Sequence, residues 1–132
     1  IAIGSHGWVD SIYHKLKKNE SLVIYNAPYN HVVHAYDIYG IIRQICSIEY
    51  YKNDVFNVCA NGVTTSLEIV EFIKNAVSSR SPFELKDPRN AITHLISNKK
   101  LLTIYNPMDV KDSLKLYVKE MLANEKEKDE NS

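Results

Sequence analysis

Val55-Phe56-Asn57-Val58-Cys59, followed by Asn61-Gly62 and then Thr65-Ser66-Leu67-Glu68-Ile69, decides the fold class. The first segment is largely apolar where a half-exposed strand would alternate, the pattern of a strand buried on both faces of a parallel sheet. Asn-Gly is a turn signal. Thr65 and Glu68 stand at capping-box spacing, in which hydroxyl and carboxylate satisfy orphan backbone donors at a helix start. Ile69, Val70, Ile73, Ala76 and Val77 then recur on one helix face. Strand, turn and capped helix predict a mixed α/β fold. A strand buried on both faces needs neighbours, and the remaining residues supply too few for a self-contained sheet.

Upstream, Val9, Ile12, Tyr13 and Leu16 are spaced as a helix over Trp8 to Lys18, with Lys15, Lys17 and Lys18 in its last turn, where cations suit the helix dipole. Leu22 to Tyr25 and His31 to Ala35 read as two short strands around the turn at Asn26-Ala27-Pro28. Ile38, Ile41, Ile42 and Ile45 predict a helix to about Glu49 that Asp37 is placed to cap. Ile1-Ala2-Ile3-Gly4 resembles the end of a buried strand, so the chain reads as a piece of a longer one.

Downstream, Ser78 to Pro82 is a breaker, Phe83 to Leu85 a short strand, and Ile92 to Leu102 a weakly helical stretch ended by Asn106-Pro107. Asp109 can cap a last helix with Leu114, Tyr117, Val118, Met121 and Leu122 as its apolar stripe. Residues 1–122 are thus expected to form one lobe, and 123–132, which have nothing to bury, a disordered polar tail.

One domain is all that 132 residues hold, and 45% hydrophobic with 24% charged residues is a globular composition. Sixteen basic and sixteen acidic residues leave no net field to attract nucleic acid or an anionic membrane. No stretch reaches the roughly 18 apolar residues of a membrane span. Cys46 and Cys59 lack the spacing of a zinc or redox pair and read as small buried hydrophobes in a reducing cytoplasm.

The ordered segments Leu22-Val23-Ile24-Tyr25, His31-Val32-Val33-His34-Ala35-Tyr36-Asp37-Ile38, Phe56-Asn57-Val58 and Thr65-Ser66-Leu67-Glu68-Ile69 resemble the carboxy-terminal part of extended short-chain dehydrogenase/reductases, the NAD-dependent epimerase/dehydratase family. Ile96 to Leu101 and Asp109 to Leu114 are similar to that family's last segment. The resemblance covers about Gly7 to Leu122. It implies the substrate-binding lobe of a Rossmann-type, NAD(P)-dependent nucleotide-sugar epimerase, dehydratase or reductase, with one strand returning to the dinucleotide-binding sheet. By the same resemblance the parent chain binds NAD or NADP and a nucleotide sugar and is able to form a homodimer, while this stretch alone binds no dinucleotide and is inactive. The rival expectation is a non-catalytic binding or assembly module whose apolar faces meet a partner.

The family's chemistry needs a glycine-rich phosphate turn and a Tyr-x-x-x-Lys pair. No such turn is present, and Tyr13 with Lys17, though at the right interval, lies on an apolar stripe after the strand that the family's pair precedes. No catalytic residue is therefore assigned. Substrate contacts implied by the resemblance are Val23 and Tyr25 against the nucleobase, Asn30 where relatives carry a diphosphate-clamping Arg, and Arg89 as a second substrate-facing guanidinium. Plain packing or solvation accounts for each equally well. Asp37 is the acid of the family's signature or simply a helix cap. His31 and His34, three apart in an extended run, point to opposite faces and make no metal pair. The nine tyrosines suit a polar-lined cleft as well as ordinary packing.

Overall fold

The computed structural model describes residues 7–47, 54–87 and 95–131. Its elements are α1 (Trp8–Lys17), β1 (Leu22–Tyr25), β2 (Pro28–Tyr29), α2 (Ala35–Ser47), β3 (Thr64–Thr65), α3 (Ser66–Ala76), β4 (Phe83–Lys86) and α4 (Val110–Glu130), with a 3-10 turn at Leu101–Thr103. β1 pairs parallel with β4, Leu22 opposite Phe83 and Tyr25 opposite Lys86. β2 pairs antiparallel with β3.

The core lies where α1, α3 and α4 meet the inner face of β1. Val9, Tyr13 and Leu16 of α1, Ile69, Val70 and Ile73 of α3, Leu114, Tyr117 and Val118 of α4, and Leu22 and Ile24 of β1 form one buried cluster. Removing each of these side chains from water contributes about 1.5–3 kcal/mol before chain entropy is counted against it. The expected caps are present at α3, where Thr65 accepts from the Glu68 N–H and Glu68 from the Thr65 N–H, and at α4, where Asp109 accepts from the Lys111 N–H at 2.8 Å. Gly62 makes the expected turn at φ 73°, and a Cβ there would collide with the Asp109 carboxylate. An Asn61 to Asp109 bridge, with the Val110 N–H donating to the Asn61 carbonyl at 2.8 Å, ties that turn to the start of α4.

Several expectations fail. Residues 55–59 form no strand, and Val55 is 78% exposed. An apolar run becomes a strand only where another strand shares its backbone hydrogen bonds; here side chains make the contacts, Lys100 donating to the Val55 carbonyl at 2.9 Å and the Cys59 thiol to the Ile96 carbonyl at 3.1 Å. The strand expected over His31 to Ala35 is likewise absent, the pairing having gone to Pro28–Tyr29 and Ala35 opening α2. Asp37 is not a cap but sits in the first turn of α2, which begins two residues earlier because the His34 ring Nδ1 accepts from the Tyr36 N–H at 3.1 Å. Cys46 is exposed on α2 rather than buried, while Cys59 is buried, and both thiols are free. Within the stretch expected to be weakly helical, and among the described residues, 95–98 are irregular and the 3-10 turn alone is helical.

The expected tail from 123 is instead the last part of α4, which runs to Glu130. Ala, Glu and Lys are strong helix formers, and Lys17 of α1 reaches Glu125 at 2.8 Å to hold this part against the lobe. Ile1 to Gly4 lie outside the described residues.

Candidate functional site

β1 alternates as a strand with one buried face must: Leu22 and Ile24 point inward, Val23 and Tyr25 outward at 51% and 55% exposure. These two expected substrate contacts therefore share one open face of the sheet and are not core. Asn30 is elsewhere in character, only 6% exposed. Its amide is spent on one backbone segment, the Nδ2 donating to the Ile96 carbonyl at 2.8 Å and the Oδ1 accepting from the Ile96 N–H at 3.2 Å. The Cys59 thiol donates to the same carbonyl at 3.1 Å, and burial pushes that thiol above its ordinary pKa, so it stays protonated. Asn30 thus staples the chain around residue 96 to the segment at 59–60. Arg89 lies outside the described residues.

Of the Tyr13 and Lys17 pair, Tyr13 faces the core and Lys17 is bound to Glu125. Tyr13 is fully buried among core residues, its hydroxyl has no hydrogen-bond partner, and burial together with the Glu125 carboxylate raises its pKa far above the ordinary value. Tyr117, beside it edge to face, donates to the buried Asp10 carboxylate at 2.8 Å. No group of three or more metal-ligating side chains occurs among the described residues.

A second surface went unread in the sequence. Along α2, His34, Ala35, Tyr36, Tyr39, Gly40 and Arg43 line a cleft of about 710 Å³, closed opposite by Tyr105 and Glu120. Its walls are fixed from behind. Asp37, 2% exposed, accepts from the Tyr105 hydroxyl at 2.8 Å and from the Met108 N–H at 3.0 Å. His34 uses both ring nitrogens, Nδ1 accepting from the Tyr36 N–H at 3.1 Å and Nε2 lying 2.9 Å from a Glu120 carboxylate oxygen. Gly40 permits the closure, since a Cβ there would lie 2.6 to 2.8 Å from the Tyr105 ring. Burial, and then the Asp37 carboxylate, push the Tyr105 hydroxyl up to about 12. The signal was available as Tyr36-x-x-Tyr39-Gly40-x-x-Arg43, one helix face at intervals of three and four.

Two solved structures share this architecture. UDP-glucose 4-epimerase of Thermotoga maritima, determined with UDP-glucose, matches over 92% of this chain and 41% of its own at a TM-score of 0.70 and 19% identity. UDP-N-acetylglucosamine 4-epimerase of Bacillus cereus matches over 89% and 42% at 0.64 and 14%. The chain has the fold of part of these epimerases. It corresponds to the carboxy-terminal part of the extended short-chain dehydrogenase/reductase fold, as the ordered segments implied, and spans about two-fifths of the length of either structure. No family model and no curated protein matches the sequence.

The glycines of this sequence are not grouped as a phosphate-binding turn. The sequence has four glycines, of which Gly4 and Gly7 are followed by no third at phosphate-turn spacing, Gly40 is filled by Tyr105 and Gly62 by Asp109. No helix among the described residues is long and apolar enough to cross a membrane.

Proposed function

We propose that this chain is the substrate-binding part of a cytoplasmic, NAD(P)-dependent enzyme that epimerises, dehydrates or reduces a nucleotide-linked sugar. The observation that carries the reading is the agreement in fold, over nearly the whole chain, with two nucleotide-sugar 4-epimerases. In this reading Val23 and Tyr25 lay the outward face of β1 against the nucleobase, and Arg89 contributes a guanidinium. Asn30, with its amide spent on Ile96, works by holding the neighbouring backbone in place, so the diphosphate is held by another group. The dinucleotide and the proton-moving residues come from the remainder of the fold. The exposed Ile38, Ile42 and Val55 support this, being apolar surface that such a remainder would cover.

The test is a pair of titrations on the 132-residue chain. UDP-glucose should shift the backbone resonances of Val23 and Tyr25, and Tyr25→Ala should weaken that binding. NAD and NADP should give no specific heat in calorimetry. A micromolar constant for either dinucleotide, or UDP-glucose shifts that spare β1, overturns the assignment.

A further inference from the structure

The α2 cleft is not the surface assigned above to the nucleotide sugar, and its chemistry changes along its length. At the amino-terminal end of α2 it is aromatic, with Tyr36 and Tyr39 exposed at 70% and 67% beside the Tyr105 ring. Towards the other end it opens past Arg43 into a further hollow of about 420 Å³ bounded by Gln44 and Ser47. From Tyr36 to Arg43 is seven residues, about 10 Å along a helix axis. A pocket of this size is within the range that holds small ligands.

One charged side chain of the cleft lacks a partner among the described residues. The Glu120 carboxylate is answered by His34, and the Tyr105 hydroxyl by Asp37. The first-turn amides of α2 are also spent, Tyr36 on the His34 ring and Asp37 and Ile38 on the His34 carbonyl. Arg43 alone among the charged lining residues has no partner among the described residues, and a guanidinium forks onto carboxylate or phosphate oxygens.

The two flanks of α2 differ in kind. At about 100° per residue, Tyr36, Gly40, Arg43 and Ser47 lie on one side of α2 and Ile38, Ile42 and Ile45 on the opposite one. The isoleucine side is the apolar strip left for further chain.

We infer that the α2 cleft is a binding site for a small planar ring carrying one anionic group, the ring lying against Tyr36, Tyr39 and the Gly40–Tyr105 wall and the anion on the Arg43 guanidinium. The walls are held from behind by the Asp37–Tyr105 and His34–Glu120 bonds, so binding need not order them.

Indole-3-acetate and its uncharged analogue indole-3-acetamide test this by amide chemical-shift titration of the 132-residue chain. The acid should shift Tyr36, Tyr39, Gly40 and Arg43 and bind about fivefold more tightly than the amide. Arg43→Gln, at an exposed position, should erase that preference without changing the melting temperature. Tyr39→Ala should weaken both compounds alike. Equal affinity for acid and amide, a preference that survives Arg43→Gln, or no shift along α2 at millimolar ligand refutes the site.

Discussion

Asp37→Ala tests whether the first turn of α2 is held by its carboxylate rather than by a cap. The side chain is 2% exposed and takes two donors, the Tyr105 hydroxyl at 2.8 Å and the Met108 N–H at 3.0 Å. Hydrogen bonds to a charged acceptor contribute about 1.5–3 kcal/mol each. Both donors are only half-buried and water replaces part of the loss, so the truncation should cost roughly 2–4 kcal/mol. Unfolding entropy of about 2.1 cal/mol/K per residue over 132 residues converts this to a fall in melting temperature of roughly 7–14 °C. Asp37→Asn should lose only about 1 kcal/mol, because its carbonyl still accepts from Met108 and its amide donates to the Tyr105 oxygen. Tyr105→Phe should cost about 1–2 kcal/mol, and the double variant less than the two single costs together. Thermal melts followed by circular dichroism decide it. A shift under about 3 °C for Asp37→Ala, or additivity within about 0.5 kcal/mol, would show that these contacts hold nothing.

Gly40→Ala should destabilise by about 1–3 kcal/mol although alanine is the better helix former, because its methyl meets the Tyr105 ring; paired with Tyr105→Ala the sign should reverse to a gain of about 1 kcal/mol, both read from urea midpoints. Above neutrality, the Tyr105 hydroxyl ionises at 10.0 when unfolded and near 12 when folded. Its contribution is therefore complete below about 10 and is lost as pH rises from there through about 12. Tyr105→Phe should flatten that part of the alkaline stability profile, and an unchanged slope would count against it. Asn30→Arg, which restores the guanidinium expected from the epimerase-like pattern, should unfold the region around Ile96 and accelerate its amide exchange rather than create a diphosphate clamp, since the site is buried and already filled. Thr65→Ala should cost about 1 kcal/mol in a denaturant melt, and no loss would mean the capping box is ornamental.

Legibility followed locality. Helices α1, α3 and α4 were readable because each carries a clear apolar stripe, and two of them a side-chain cap within three residues of the start. β1 was readable as a short apolar run and β4 as a short alternating stretch, each following turn residues or a breaker. What failed depended on partners far along the chain. The apolar composition of residues 55–59 signals a strand only if another strand lies beside it. Asp37 reads as a cap from its neighbours alone, whereas its real partners are 68 and 71 residues away. His34, which does cap α2, is a poor cap former by residue type and succeeds because Glu120, 86 residues on, fixes its ring. The cleft escaped for the same reason: the face from Tyr36 to Arg43 is visible in the sequence, but the wall opposite it is not.

α2 explains why one short helix carries both the open question about the rest of the fold and the cleft. Asp37 and Ile41 face the lobe, and the lobe satisfies them. Ile38 and Ile42 are apolar and exposed on one flank, and a helix with apolar residues on more than one side is normally buried on more than one side. The Tyr36 to Arg43 flank is different in kind, because its aromatic rings alternate with a glycine and with a cation that has no partner among the described residues, which suits the small charged ligand proposed for it. If the isoleucine flank served the same ligand, substituting Ile42 by Glu would disturb both surfaces. If the two flanks are independent, Ile42→Glu should leave the indole-3-acetate shifts at Tyr36 and Tyr39 intact. A loss of those shifts in a variant that melts like the parent would show that the two sides of α2 form one site.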